Sequence, residues 1–549
     1  MSKKSIFLIA IISILTLVLA ACGSNNAAPE KKSNNTTNKS VHFVETEDLL
    51  TLNTTNEEDF ASFTAQNQVL EGLYSLDKQD NVIPAVAKSL PKISADKKTY
   101  TIQLRDDAKW SDGSAVTAKD FVYAWQRAVS TKTAPSYSIL FVNSIKNAKE
   151  VNEGKLKSSE LGVKAVNDHE LQIELIKPIS YFPSLLSFQT FFPIKQSYLE
   201  KQGDKYGTSS ATTLYNGPFT LKGWSASGDG WTYVKNKNYW DAKNVKVDDI
   251  KVSVVKNTGT AVNLYQSGDV DRVVLDGEFA KQYRGSKDFQ NEKDALVAYL
   301  RLNETKESPL KNKDLRKAVS LAINKETLVN KILDDGSFVA DGFIPKNFIN
   351  NPETNADFRT DAGTLQKQDL KEAQTAWKVA QKSLGKDKIN LVYLTSDSDT
   401  DKKIAEYITD QLQKDLPGLT VEIKALPSKN KQQAYFEGDY DISDGAWMPD
   451  YKDATTYLNI FESKSSQNYI GFKNTTYDQL LNDADNKNAG NDEARWKNLV
   501  AAENILVNKE YAITPLYQKQ TALLQKDRVA NVVKHNFGSP YSYKYITVK

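Results

Sequence analysis

The alternation of apolar and polar positions first becomes regular at TYTIQLRD. Tyr100, Ile102 and Leu104 alternate there with Thr101, Gln103 and Arg105, the period of a half-buried strand. Ser111-Asp112-Gly113 marks a turn, and Thr117-Ala118-Lys119-Asp120 has the form of a capping box. The helix it opens carries Phe121, Val122, Ala124, Trp125, Ala128 and Val129 on one face. Asp314 to Gly336 predicts two short helices. Leu315, Val319 and Ala322 line the first; Leu328, Val329, Ile332 and Leu333 line the second, and Gly336 is its expected stop.

The richest pattern begins at Ile389. Ile389 to Leu394 reads as a strand, and Ile404, Tyr407, Ile408 and Leu412 have the spacing of an amphipathic helix. Leu416-Pro417-Gly418 ends that helix, and Leu419 to Leu426 is a second strand. This β-α-β unit predicts a parallel sheet covered by helices. Tyr440 to Trp447 is the next strand. In open α/β sheets ligands lie beyond the carboxyl ends of strands, and that is where GAWMPDY puts Asp450. A carboxylate among a tryptophan, a proline and a tyrosine is costly to bury unless something pairs with it. An Asx-turn or cap is the local alternative. Trp447 is compatible with core packing, with ligand contact, or with both.

The amino terminus has a different character. Lys3 and Lys4 precede an almost fully apolar run from Ser5 to Ala20, short for a membrane-spanning helix of about 20 residues. Leu19-Ala20-Ala21-Cys22 follows and resembles the bacterial lipobox, in which the cysteine is lipidated after cleavage and becomes the first residue. Residues 1–21 are thus read as a lipoprotein signal peptide. Residues 22–40, rich in Asn, Ser and Thr and without periodicity, are read as a flexible tether.

Composition narrows the function mainly by exclusion. The chain has 549 residues, 40% hydrophobic and 10% aromatic, enough for more than one core. Losing Lys3 and Lys4 with the leader takes 71 basic residues to 69, against 69 acidic. A neutral body argues against nucleic acid as a partner. Cys22 is the only cysteine, so no disulfide, thiol chemistry or zinc thiolate is expected. His42, His169 and His535 have no metal-ligand spacing and are expected at the surface or as caps. GWSASG, residues 223–228, has the wrong spacing for a nucleophile elbow, and there is no phosphate loop or dinucleotide fingerprint. The acidic pairs Glu57-Glu58 and Asp334-Asp335 read as solvated or capping residues. The expectation is a chain that is no enzyme and holds no cofactor or metal.

Several segments together resemble the family 5 extracellular solute-binding proteins. Tyr100 to Arg127 is similar to the family's signature block. Leu70 to Asp77, Asn216 to Trp224, Asn236 to Ala242 and Leu315 to Leu333 are similar to other blocks, in the same order. Trp447 to Phe461 is similar to the oligopeptide-binding branch, whose pattern is a tryptophan, two residues, then Asp-Tyr, here Trp447-Met448-Pro449-Asp450-Tyr451. The resemblance implies a two-lobed, hinged α/β fold of the periplasmic-binding-protein kind (type II, cluster C-like). Lobe I would be residues 41–70, 192–297 and 519–549, with 71–191 an inserted subdomain; lobe II would be 298–518. It implies that Asp450 receives the α-ammonium of a bound peptide, with Ala446, Trp447, Met448 and Tyr451 beside it and Glu58 and Phe60 lining the other side. The partners implied are oligopeptides and the permease and ATPase subunits of an ABC transporter. The implied place is the outer face of a Gram-positive cell membrane, held through Cys22 by a monomeric protein.

The sequence departs from the branch in one place. Gram-negative members carry a basic residue on the strand before the tryptophan, where this chain has Asp444, and Asp401 aligns with a histidine. Two carboxylates would repel a peptide carboxyl terminus. The expectation is that the terminus is not clamped there and that longer or basic peptides are accepted, so a peptide and its carboxyl-terminal amide should bind alike. The rival readings are a signalling-peptide or haem sensor of the same fold, a secreted hydrolase and, more weakly, metal uptake.

Overall fold

A computed structural model describes residues 39–55, 60–130, 137–225, 228–305, 308–465 and 467–549. The leader, Cys22, most of the tether and Glu58 lie outside the described residues. Ser40, read above as the tether's last residue, already belongs to the first strand, with its hydroxyl on Asp249. No helix among the described residues is long and apolar enough to cross a membrane.

One mixed sheet runs through the body. Besides the short strand Phe338–Val339, which pairs with the last of them off the main row, its strands are β1 (Ser40–Glu45), β2 (Phe219–Lys222), β3 (Gly230–Lys235), β4 (Asp249–Val254), β5 (Arg272–Val274), β6 (Phe289–Leu302), β7 (Ile389–Ser396), β8 (Leu419–Leu426), β9 (Ile442–Trp447) and β10 (Ile513–Gln525). Their spatial order is β8-β7-β9-β6-β10-β5-β1-β4-β3-β2. The two longest strands, β6 and β10, pair antiparallel and join two differently built halves. Their register shifts between Lys293 and Val297, an irregularity that lets a ladder bend.

Each half has its own core. Trp110, Trp125, Phe121, Tyr100 and Phe43 are buried in one; Tyr299, Phe343 and Tyr457 in another. Tyr100 thus packs as the alternation predicts and Trp125 as its helix face predicts, with Trp110 buried in the same core. A separate four-stranded sheet, Lys92–Ile93, Thr99–Gln103, Glu170–Glu174 and Val163–Asn167 in spatial order, carries the alternating TYTIQ segment. The helix Ala118–Ala128 starts where its capping box predicts. Asp120 accepts from the Thr117 amide at 2.8 Å and from the Trp110 indole at 3.3 Å.

The β-α-β reading holds, with the first strand running on from Leu394 to Ser396. β7 and β8 pair in parallel from Ile389 with Leu419 to Ser396 with Leu426. The helix Asp399–Asp415 between them buries Ile404, Ala405, Ile408 and Leu412. Gly418 turns the chain at φ +96°, and a Cβ there would lie 2.5 Å from the Asp387 carbonyl oxygen; only glycine accepts both conditions.

Three local expectations are corrected. The second helix of the Asp314–Gly336 pair is α-helical only over Lys325–Thr327, continues as a π-helix over Leu328–Leu333 and ends on Asp334 at φ +44°, before Gly336 is reached. The strand expected from Tyr440 begins at Ile442. His535 is neither surface nor cap. It is 1% exposed, with Nδ1 2.8 Å from Asp80 and Nε2 2.8 Å from Ser542. Asp80 is 455 positions away, so no local spacing could reveal the pair.

Candidate functional site

β9 is paired unequally on its two sides. β6 covers it completely, from Leu302 opposite Ile442 to Val297 opposite Trp447. β7 pairs only with Ile442 and Ser443. From Asp444 to Trp447 the second edge therefore carries no strand among the described residues, and its backbone groups remain available to an added one.

The chain then leaves the sheet through Met448 and Pro449. Two bonds fix this exit: Gly538 N donates to Pro449 O at 2.9 Å, and Asp450 N donates to Thr456 Oγ1 at 3.0 Å. The Asp450 carboxylate accepts from Tyr137 Oη at 3.3 Å. No backbone amide is bonded to it among the described residues. The capping bond of this loop goes to Asp453 instead, which accepts from Thr455 N at 3.0 Å. The local alternative for Asp450 thus belongs to its neighbour.

Asp450 lines a cavity of about 430 Å³, with Tyr137, Leu140, Trp447, Tyr451 and Glu462 also in its wall. Burial pushes the Asp450 carboxyl up to about 7, against the opposing pull of the Tyr137 hydroxyl. No Lys, Arg or His among the described residues is within ion-pair distance of it. Such a carboxylate fits a ligand cation. The Trp447 ring packs on the second core and borders the cavity, and its Nε1 is buried without a partner among the described residues.

The segment around residues 137–181 closes over this end of the strand. Tyr181 stacks on Tyr451 with centroids 4.5 Å apart at 13°, and Lys177 pairs with Asp485 at 2.9 Å. A second cavity, of about 280 Å³, lies at the other end of the free edge, bordered by Arg301, Asp401, Lys431, Asp444 and Ala446. Its charge differs from the sequence expectation. Lys431 neutralises Asp444, Asp401 accepts from the Ser396 hydroxyl at 2.5 Å, and Arg301 adds a cation. The two acids are therefore not a bare negative wall.

The remaining site candidates are distributed unevenly. Ala446 is exposed on the free edge and Met448 is buried at 8% exposure. Phe60 is 45% exposed at the start of the helix Phe60–Val69 and borders neither cavity. Sequence reasoning missed Tyr137, Arg301 and Lys431. Tyr137 and Arg301 lie in segments remote from GAWMPDY, with no motif to single them out. Lys431, 13 positions from Asp444, sits in a helix with no charge pattern pointing to it.

Comparison with known proteins agrees with this layout. The family model for bacterial extracellular solute-binding proteins, family 5 (middle), matches residues 81–469. The dipeptide-binding protein of Lactococcus lactis subsp. cremoris is 31% identical over 560 residues, covering 100% of this chain and 99% of the relative. The solved structure of Listeria monocytogenes OppA bound to peptide superposes with a TM-score of 0.85 at 41% identity, covering 93% of this chain and 99% of that one. The pheromone receptor PrgZ, solved with its mode of peptide binding, gives a TM-score of 0.85 at 37% identity, covering 93% and 100%. Matched over most of its length in sequence and in fold, the chain belongs to the family 5 bacterial extracellular solute-binding proteins.

Proposed function

We propose that this protein captures oligopeptides between its two lobes and delivers them to an ATP-driven permease, without transforming them. The observation that carries this reading is the free edge of β9, which ends at a carboxylate with no cation beside it among the described residues. A peptide of any sequence offers a constant backbone and a constant α-ammonium. The edge suits the first by strand addition, and Asp450 suits the second. Its relatives' names, dipeptide-binding protein and peptide-bound OppA, support the same ligand class. The lobes divide near the β6–β10 irregularity, which serves as the hinge. Cys22 carries the lipid that holds the receptor on the outer membrane face; a Cys22→Ser chain is expected in the soluble fraction, and its retention with membranes would refute the anchor.

The test is a tryptophan-fluorescence titration of protein stripped of endogenous ligand, first with a mixed-sequence pentapeptide and then with its N-acetylated twin. Trp447 borders the cavity and supplies a local reporter. The free peptide should bind and the acetylated one should not. Equal binding would remove the ammonium role of Asp450. The likeness to PrgZ supports a second reading, a receptor for one signalling peptide. A peptide library separates the two: broad capture fits uptake, and a single tight ligand fits signalling.

A further inference from the structure

We propose that Arg301 selects peptides bearing an acidic side chain at the position that pairs with Gly445. This rests on the strand-addition reading above and adds a preference to it.

Arg301 belongs to β6, opposite Ser443 of β9. Among the described residues no carboxylate lies within ion-pair distance of its guanidinium. Its Nη1 is 3.5 Å from the Asp444 carbonyl oxygen, the outer limit of a hydrogen bond, and its Nε is buried without an acceptor. The group is held by rings instead, 4.1 Å from the Tyr435 centroid and 5.5 Å from that of Tyr299. Ring faces stabilise the charge but accept few of its five donors. A desolvated guanidinium so placed favours a carboxylate, which its planar fork matches in two parallel bonds.

Gly445 shows where that carboxylate comes from. A Cβ on Gly445 would lie 2.5 Å from Arg301 Nε and 2.7 Å from Cζ. The guanidinium therefore occupies the space into which a side chain at 445 would point. Residues directly opposite each other in a β-ladder send their side chains to the same face. A peptide residue added opposite Gly445 would direct its side chain to the face where Arg301 lies. A terminal carboxylate continues the backbone in the plane of the ladder and is less well placed. The adjoining cavity of about 280 Å³ has room for the side chain. Of the other charges on that cavity, Lys431 is paired with Asp444, and Asp401 is turned to the Ser396 hydroxyl. Among the described residues Arg301 is the cation on that cavity left without a carboxylate, while Asp444 keeps one oxygen without a hydrogen-bond partner.

The experiment moves a single glutamate through every internal position of an alanine heptapeptide, with glutamine at the same position as control. Affinities are read by isothermal titration with the full chain and with Arg301→Gln. At one position glutamate should bind about tenfold tighter than glutamine, the scale of a charge-assisted bond. That ratio should fall to about one in Arg301→Gln, and also in Gly445→Ala, whose methyl displaces the guanidinium. Circular dichroism establishes that each variant is folded. A flat scan, or a preference that survives both variants, would overturn the proposal. So would a preference that follows the free carboxyl terminus and vanishes on amidation. If the alanine parent fails to bind, the peptide reading itself falls; if it binds equally well when N-acetylated, the ammonium role of Asp450 falls; if the parent binds and the scan is flat, only the role of Arg301 falls.

Discussion

Asp450→Asn is expected to weaken binding of a peptide with a free amino terminus by about two to three and a half decades. Breaking a buried ion pair from one side leaves the other charge unpaired, at about 3–5 kcal/mol, and about 1.4 kcal/mol is one decade in affinity. The substitution keeps the shape and the Tyr137 contact while removing the charge, so the loss reports the ammonium pair alone. For an N-acetylated peptide the variant and the wild type should bind equally weakly. Titration calorimetry on the four combinations gives the coupling directly. If asparagine costs the acetylated peptide as much as the free one, Asp450 is structural and the cation it meets is not the peptide's.

The same carboxyl gives the protein a pH response whose sign follows from its environment. With the Tyr137 segment against it, Asp450 has its pKa raised to about 7 by burial. In an opened cleft it should titrate as an ordinary aspartic acid near 3.9. The closed, peptide-free form therefore binds more protons and is favoured at low pH. That advantage is complete below the ordinary value and is lost as pH rises toward 7. Small-angle scattering of stripped protein should show a more compact particle at pH 5 than at pH 8. Saturating peptide should make it compact at pH 8 as well, because the ammonium takes the place of the proton. Asp450→Asn, neutral throughout, should shrink this change, and what remains is set by Glu462, in the same cavity wall and also pushed up to about 7 by burial.

The parts of this structure that were legible in the sequence are those governed by local periodicity. The β7–helix–β8 unit is written in residues 389–426, two apolar runs flanking a helix whose Ile404, Ile408 and Leu412 fall on one buried face. The strand end that carries Asp450 was visible for the same reason. Partners brought in by the fold were not. Tyr137 meets Asp450 across 313 positions. Arg301 reaches the β9 edge because β6 pairs with β9. Asp444 and Asp401 show the resulting error most plainly. Read as bare acids from their positions, they are engaged in the fold by a helix lysine and a serine hydroxyl. Charge patterning along a chain reports identity and spacing, whereas the field in a cleft depends on which distant segments converge there.

The largest stability effect is expected far from either cavity, at Glu503. This side chain is 0% exposed, ion-paired with Arg359, itself buried, and accepts from the amides of Phe343 and Ile344 at 2.8 Å each. One carboxylate thus pins the 343–344 turn to the helix Asp492–Asn504. Phe343 in turn packs edge-on against Tyr299 at 4.9 Å and Tyr457 at 5.2 Å, and the Tyr457 hydroxyl donates to the Ala295 carbonyl. Glu503→Ala strands a buried guanidinium and two amides together, and should cost about 3–5 kcal/mol in chemical denaturation. Glu503→Gln should cost less, since its amide oxygen still accepts from the two backbone groups. Replacing Arg359 and Glu503 together by methionine should cost less than Glu503→Ala alone, because no unpaired charge remains. Below the unfolding transition all three variants should bind peptide with nearly wild-type affinity, since Glu503 borders neither cavity. A decade or more of lost affinity in folded Glu503→Gln would mean that the Phe343–Tyr457 packing sets the position of the Thr455–Leu458 helix, and through the Thr456 hydroxyl the position of Asp450.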